Sequence, residues 1–245
     1  MKTLLPAFNQ FLPAALLILA TALFAACGGG ASRESTSKQE TAAASPTAST
    51  TPAETVPKIV AFGDSLTAGY GLAPQESYPA LLQKLIDADG FKYEVVNAGV
   101  SGDTSAGGVR RIDWSLDAGG VRFVILELGA NDFLRGQPVA ETRKNLSDII
   151  KRARSRGAQV LLAGMLTTTE SGRDYEVEIR DAFKSLAAEN DIILIPFFLE
   201  GVAGIDKLNQ QDRIHPNAEG TKLVAATVYR YLKPLLEKDR RGSDE

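Results

Sequence analysis

From Lys58 onward, short continuous apolar runs alternate with longer stretches whose apolar residues recur at helical spacing. Ile59-Val60-Ala61-Phe62, Tyr93-Glu94-Val95-Val96, Phe123 to Leu128, Val160-Leu161-Leu162-Ala163 and Ile192-Ile193-Leu194-Ile195 are too short for helices and bounded by Gly or polar residues, so they read as strands. Between them, Tyr78, Leu81, Leu82, Leu85 and Ile86 mark one helical face, and Asp103 to Leu116 a second helix weakened at its start by Gly107-Gly108. Val139, Leu146, Ile149, Ile150 and Ala153 mark a third, closed by Gly157, and Tyr175, Ile179, Ala182, Phe183 and Leu186 a fourth. Val224, Val228, Tyr231, Leu232 and Leu235 give a last helix its apolar side, with Pro216 placed in its first turn. Strands apolar on both faces that alternate with helices predict an α/β fold with a five-stranded parallel sheet covered on each side.

Ligands of such sheets bind outside the carboxyl ends of the strands. Ser65 follows the first predicted strand, Gly99 the second and Asn131 the third, and His215 lies in the loop that leaves the fifth. Periodicity alone therefore puts four polar features on one rim.

The first 57 residues lack this alternation. Lys2 gives a positive start, and Phe11 to Phe24 is apolar apart from Thr21, with Pro13 inside. That run is short for a spanning helix but fits the apolar core of a secretory signal over residues 1–26. Ala25-Ala26 before Cys27 resembles the bacterial lipoprotein signal, in which the cysteine is acylated and becomes the new N-terminus; Phe24 stands where that signal prefers Leu or a similar aliphatic residue. The resemblance implies an exported domain, lipid-anchored at Cys27 to a bacterial membrane and facing the periplasm or the cell surface. Residues 28–57 are Gly, Ala, Ser, Thr, Pro and Glu with almost no large apolar side chain, so they are expected to form a disordered tether. A single domain-sized segment follows over 58–238, and Lys238–Glu245 reads as a charged, frayed tail.

Composition removes several functions. The chain of 245 residues carries a net charge of −3 and no basic stretch, which argues against a nucleic-acid partner. One Cys and one His cannot form a Cys/His zinc site or an intramolecular disulfide.

That single histidine sharpens the chemistry. His215 sits in Asp212-Arg213-Ile214-His215-Pro216-Asn217, and a neutral imidazole is the usual proton carrier near neutral pH. Asp212 is close enough along the chain to hold one ring nitrogen while the other faces a nucleophile. Ser65, in Gly63-Asp64-Ser65-Leu66, needs such a base, because serine attacks poorly until its proton is removed. A tetrahedral intermediate then needs donors for its oxyanion, and the Ser65 N–H, the Gly99 N–H and the Asn131 side-chain amide are available. Each piece alone has an ordinary reading: Gly-Asp-Ser as a turn, Asn131-Asp132 as a helix cap, Asp212 and His215 as caps of the last helix. Asp64 is assigned a supporting role, bonding local backbone N–H groups. Trp114, Tyr70 and Phe133 are candidates to line an acyl pocket, with packing as the ordinary alternative.

Gly63-Asp64-Ser65-Leu66, Asn97-Ala98-Gly99-Val100-Ser101-Gly102-Asp103-Thr104, Gly129-Ala130-Asn131-Asp132 and Asp212 to Asn217 together resemble the successive blocks of the SGNH (GDSL) hydrolases. Within that family the chain is similar to the branch of arylesterases, acyl-CoA thioesterase I and lysophospholipase L1, from Ile59 to about Leu236. The resemblance implies a flavodoxin-like three-layer α/β/α sandwich, Ser65 as nucleophile, His215 as base, Asp212 as its orienting acid, and Ser65, Gly99 and Asn131 as the oxyanion hole. It implies no metal and no organic cofactor, and a small ester or lipid-like substrate. Leu166 to Arg173 replaces the Pro- and Asn-containing substrate loop common in the branch, so the resemblance does not carry over to chain-length preference. The same motifs would serve a carbohydrate O-deacetylase of cell-wall or extracellular glycans. A surface lipoprotein that binds a ligand without catalysis is the reading from another class.

Overall fold

The computed structural model describes residues 56–117, 119–166 and 172–243. The leader, Cys27, all but the last two residues of the tether, and residues 167–171 of the substrate loop lie outside the described residues.

The strands are β1 (Lys58–Gly63), β2 (Glu94–Gly99), β3 (Val121–Glu127), β4 (Gln159–Ala163) and β5 (Ile193–Ile195). They form one sheet of order β2-β1-β3-β4-β5 with every pair parallel. This is the flavodoxin-like order, and its topological switch point lies between β1 and β3. The helices are α1 (Ser65–Ala68), α2 (Tyr78–Ala88), α3 (Ser105–Leu116), α4 (Ala130–Leu134), α5 (Val139–Ser155), α6 (Arg173–Asn190) and α7 (Ala218–Ser243). α2 packs with α7, while α3 packs with α5 and α5 with α6, giving the two helical layers.

Continuous apolar runs make the central strands because both of their faces are covered. Ile59, Val60, Ala61 and Phe62 are fully buried, as are Val124, Ile125 and Leu126. Burying each such side chain stabilises the fold by about 1.5–3 kcal/mol relative to leaving it exposed. β2 departs from the expectation of two apolar faces: it is an edge strand, and its buried positions are only partial.

Several boundaries differ from the sequence reading for identifiable reasons. β2 runs on through Asn97-Ala98-Gly99, because Gly63 and Gly99 still pair across the sheet. α3 starts at Ser105 under a Thr104 cap despite its two glycines. Gly108 lets the helix approach the sheet: a Cβ there would lie 2.4 Å from Leu128 Cδ1. Pro216 precedes α7 instead of entering its first turn; Asn217 caps that helix, its Oδ1 accepting from the N–H groups of Glu219 and Gly220. The expected tail from residue 239 is helical to Ser243. Asp239 binds it to the sheet, accepting from Tyr93 Oη at 2.7 Å and Arg122 Nε at 2.7 Å.

Candidate active site

The nucleophile turn forms where β1 leaves the sheet. Asp64 caps α1, its Oδ1 accepting from the Leu66 N–H at 3.0 Å, and Ser65 is the first residue of that short helix. On the far side of the cleft, a loop folds back on itself between Leu208 and Asn217, closed by Gln210 N–H to His215 O at 2.8 Å and Asn217 N–H to Leu208 O at 2.9 Å. Asp212 shapes its tip: Oδ1 accepts from the N–H groups of Ile214 and His215, both at 3.0 Å, while Arg213 takes a φ of 60°. An aspartate that accepts from N–H groups two and three residues ahead favours this turn over a helix.

These elements bring Ser65, His215 and Asp212 together. His215 Nε2 lies 2.8 Å from Ser65 Oγ across 150 residues of sequence, and Nδ1 lies 2.7 Å from Asp212 Oδ2. With Nδ1–H held by the carboxylate, Nε2 is free to accept the serine proton, so the series can move a proton off the hydroxyl. Partial desolvation works to raise the Asp212 pKa, but hydrogen bonds from the His215 backbone and ring and from the Ile214 N–H prevail and hold it at about 2. Asp212 is therefore a carboxylate at any pH where the imidazole can act. The Tyr70 ring lies 4.8 Å from the His215 ring and leaves one face of the base covered.

Of the expected oxyanion donors, the structure brings Asn131 but not Gly99 to the serine. Asn131, in α4 at the carboxyl end of β3, shares a cleft with Ser65, Asp64 and His215. Its Nδ2 donates to Asp64 Oδ2 at 2.9 Å, which fixes the amide orientation. Gly99 turns away: its N–H donates to Asn97 Oδ1 at 3.0 Å, and a Cβ on it would sit 2.2 Å from Ala68 N, against the back of α1. Gly102 follows three residues later. It lines the same cleft as Ser65 and Asn131, and its φ of 80° is the left-handed region that favours glycine. Among the described residues, neither the Gly102 N–H nor the Ser65 N–H donates to any protein group.

Two buried carboxyls sit behind the serine. Asp64 is almost wholly buried, and this desolvation pushes its pKa up to about 6 against the hydrogen bonds from Leu66 and Asn131. Glu127, at the end of β3, is fully buried; burial first, and the nearby Asp64 charge second, raise it well above the usual carboxylate range. Its Oε2 accepts from Thr67 Oγ1 at 2.6 Å and from the Asp64 N–H at 3.2 Å, so it grips the nucleophile turn on both sides of Ser65. Glu127 was not singled out from sequence, although a lone acid inside Phe-Val-Ile-Leu-Glu-Leu was the available signal. Asp132 is structural: it accepts from the Ser105 N–H at 2.8 Å and from Thr142 Oγ1 at 3.2 Å, joining α3, α4 and α5.

Beside the serine opens an apolar cavity of about 130 Å³, lined among others by Leu66, Ala130, Phe133, Leu134, Met165 and Ile214. Phe133 lines this cavity and Tyr70 lines the serine cleft beside His215, whereas Trp114 lines neither, being 78% exposed on α3.

Comparison with known proteins agrees with this architecture. Residues 61–223 match the GDSL-like Lipase/Acylhydrolase family. Esterase TesA of Pseudomonas aeruginosa is 40% identical over 73% of this chain and 89% of its own length. Thioesterase 1/protease 1/lysophospholipase L1 of Escherichia coli K12 is 36% identical over 74% of this chain and 86% of its own. Among solved structures, that of TesA superposes with a TM-score of 0.71 at 39% identity, covering 73% of this chain and 99% of TesA. AlinE4, an SGNH-hydrolase family esterase, superposes with a TM-score of 0.62 at 44% identity, covering 74% of this chain and 97% of AlinE4. The chain belongs to the GDSL-like lipase/acylhydrolase family and is an ester hydrolase of the SGNH type.

Proposed function

We propose that the protein is an exported serine esterase that cleaves carboxylic esters through an acyl-enzyme on Ser65. The observation that carries this reading is the continuous series Ser65 Oγ, His215 and Asp212, at 2.8 and 2.7 Å. Ser65 Oγ attacks the ester carbonyl while His215 Nε2 takes its proton, and Asp212 stabilises the imidazolium that results. The carbonyl oxygen, now an oxyanion, accepts from the N–H groups of Ser65 and Gly102 and from Asn131 Nδ2. Collapse breaks the bond to the alcohol, which leaves with the proton from His215. Water, deprotonated by the same imidazole, then attacks the acyl-serine and restores Ser65. Thioesters would follow the same course.

The apolar cavity beside Ser65 supports an acyl chain longer than acetyl, which favours lipid-like esters over O-acetylated glycans. The N-terminal pattern supports delivery by a signal over residues 1–26 and a lipid anchor at Cys27, with the domain held by the following tether. Two measurements test the catalytic part. Ser65→Ala should abolish turnover of p-nitrophenyl acyl esters with an unchanged circular dichroism spectrum, and a fluorophosphonate should label the wild-type chain at Ser65 alone. Turnover that survives Ser65→Ala, or an unlabelled Ser65, would overturn the reading.

A further inference from the structure

We infer that Arg111 is a positioning residue that locks the oxyanion loop to the nucleophile turn, an inference that rests on the catalytic reading above. Arg111 lies in α3, with its side chain 18% exposed. Its guanidinium makes three directed bonds to three different segments. Nη2 donates to Gly63 O at 2.8 Å, Nη1 to Ala98 O at 2.7 Å, and Nε to Asp103 Oδ2 at 2.7 Å. Its Cζ stacks 4.0 Å from the centre of the Phe62 ring, which fixes the plane of the fork.

The choice of partners matters more than their number. Gly63 O is the last carbonyl of β1, two residues before the nucleophile. Ala98 O is near the end of β2, where the chain leaves for the loop that carries Gly102. Asp103 directly follows Gly102. One planar cation therefore sets the distance between the Ser65 N–H and the Gly102 N–H, the two backbone donors of the hole. The loop's other bonds each reach a single segment: Val100 N–H bonds Gly63 O at 3.0 Å, Asp103 N–H bonds Val100 O at 3.0 Å, Ser105 N–H bonds Asp132 Oδ2 at 2.8 Å, and Arg135 Nη2, from an exposed side chain, bonds Gly102 O at 3.0 Å. Arg111 is not among the residues lining the cleft or the apolar cavity, so it acts through the backbone it holds. Lysine cannot replace it, because a single ammonium lacks the rigid fork that serves three acceptors at fixed angles.

The experiment compares full-length wild-type protein with Arg111→Gln and Arg111→Lys on a water-soluble p-nitrophenyl ester. It reads kcat and KM separately, the second-order rate of Ser65 phosphonylation by a fluorophosphonate, and the folded fraction at the assay temperature. A tetrahedral phosphoryl group uses the same donors as the ester oxyanion, so both rates report on the hole. Misplacing a donor by about 1 Å costs up to about 10²-fold. Arg111→Gln should accordingly lower kcat per folded molecule by about ten- to a hundredfold with KM nearly unchanged, and phosphonylation should fall in proportion. Arg111→Lys should fold and show an intermediate loss. If Arg111→Gln does not fold, Arg111→Lys decides alone. Wild-type kcat per folded molecule in Arg111→Lys or Arg111→Gln, or a kcat loss without a matching loss of phosphonylation rate, overturns the inference and leaves a purely structural ion pair. Absence of labelling in the wild-type protein would instead overturn the catalytic reading itself.

Discussion

Asn131 shows how one residue ties the chemistry to its supports. Its amide has two N–H groups; one is given to Asp64 Oδ2, and the other is left for an oxygen in the cleft it shares with Ser65. A donor held this way does not have to reorganise when charge develops on the carbonyl oxygen. Asn131→Ala should therefore lower kcat by about 10²–10³-fold while leaving KM nearly constant, because the bond strengthens in the transition state and not in the bound ester. Steady-state kinetics on p-nitrophenyl butyrate decide it; a kcat within tenfold of wild type removes Asn131 from the hole. At this scale most of the site was legible in the sequence. Ser65 and Asn131 follow strands one and three, Asp212 and His215 lie in the loop that leaves the fifth, and the parallel fold collects these segments on one rim. Gly99 was misassigned because the second strand was taken to stop at Val96. Alternation of apolar residues cannot locate the end of a strand whose last residues are Asn-Ala-Gly. Pairing with Gly63 extends β2 to Gly99 and moves the start of the loop, and with it the cleft-lining glycine, on to Gly102.

Among the elements, β3 carries a cost that its sequence advertises. Glu127 ends a strand of buried apolar residues, and among the described residues it is held by Thr67 and the Asp64 N–H with no cation against it. The native state therefore keeps a proton that the unfolded chain gives up near the ordinary glutamate value of 4.5. With the folded pKa raised, this group's share of stability is complete below that value and is lost as pH climbs toward the folded one. Glu127→Gln keeps an acceptor for Thr67 and Asp64 but has nothing to ionise. In urea melts its stability relative to wild type should rise with pH above about 4.5, by at most about 1.4 kcal/mol per pH unit. A difference that stays constant from pH 4 to pH 8, a range chosen about that value, would show that Glu127 does not hold its proton. Asp64, at about 6, imposes a loss of the same sign, and because its charge bears on Glu127 the comparison reads the two carboxyls together. The five strands and the helices on both faces were readable from period and length alone. What local pattern missed were features set by distant partners: α7 persists to Ser243 where Arg122 and Tyr93 hold Asp239, and Gly108 of α3, read as a weakness of the helix start, serves close contact with Leu128 and Phe62.

For the whole molecule, the proposed anchor and the cleft make a joint demand on geometry. As the proposed tether, a Gly/Ser/Thr/Pro-rich segment of the length of residues 28–57 would have a root-mean-square reach of roughly 30 Å. The cleft would then meet esters resident in the membrane at high effective concentration, while soluble esters would reach it by diffusion alone. The two substrate classes should therefore respond differently to loss of the anchor. Cys27→Ser should abolish metabolic incorporation of an alkyne fatty acid and move the protein from the membrane fraction to the soluble fraction. Its kcat/KM on p-nitrophenyl butyrate should match that of wild type, since the cysteine lies far along the chain from Ser65. Its hydrolysis of a lysophospholipid presented in vesicles should fall at equal enzyme concentration, and shortening the tether by deleting residues 34–50 in the Cys27 protein should lower the vesicle rate alone. Label that persists in Cys27→Ser refutes acylation at this position. Equal vesicle rates for anchored and unanchored protein would show that the apolar cavity by itself, without attachment, brings the enzyme to lipid.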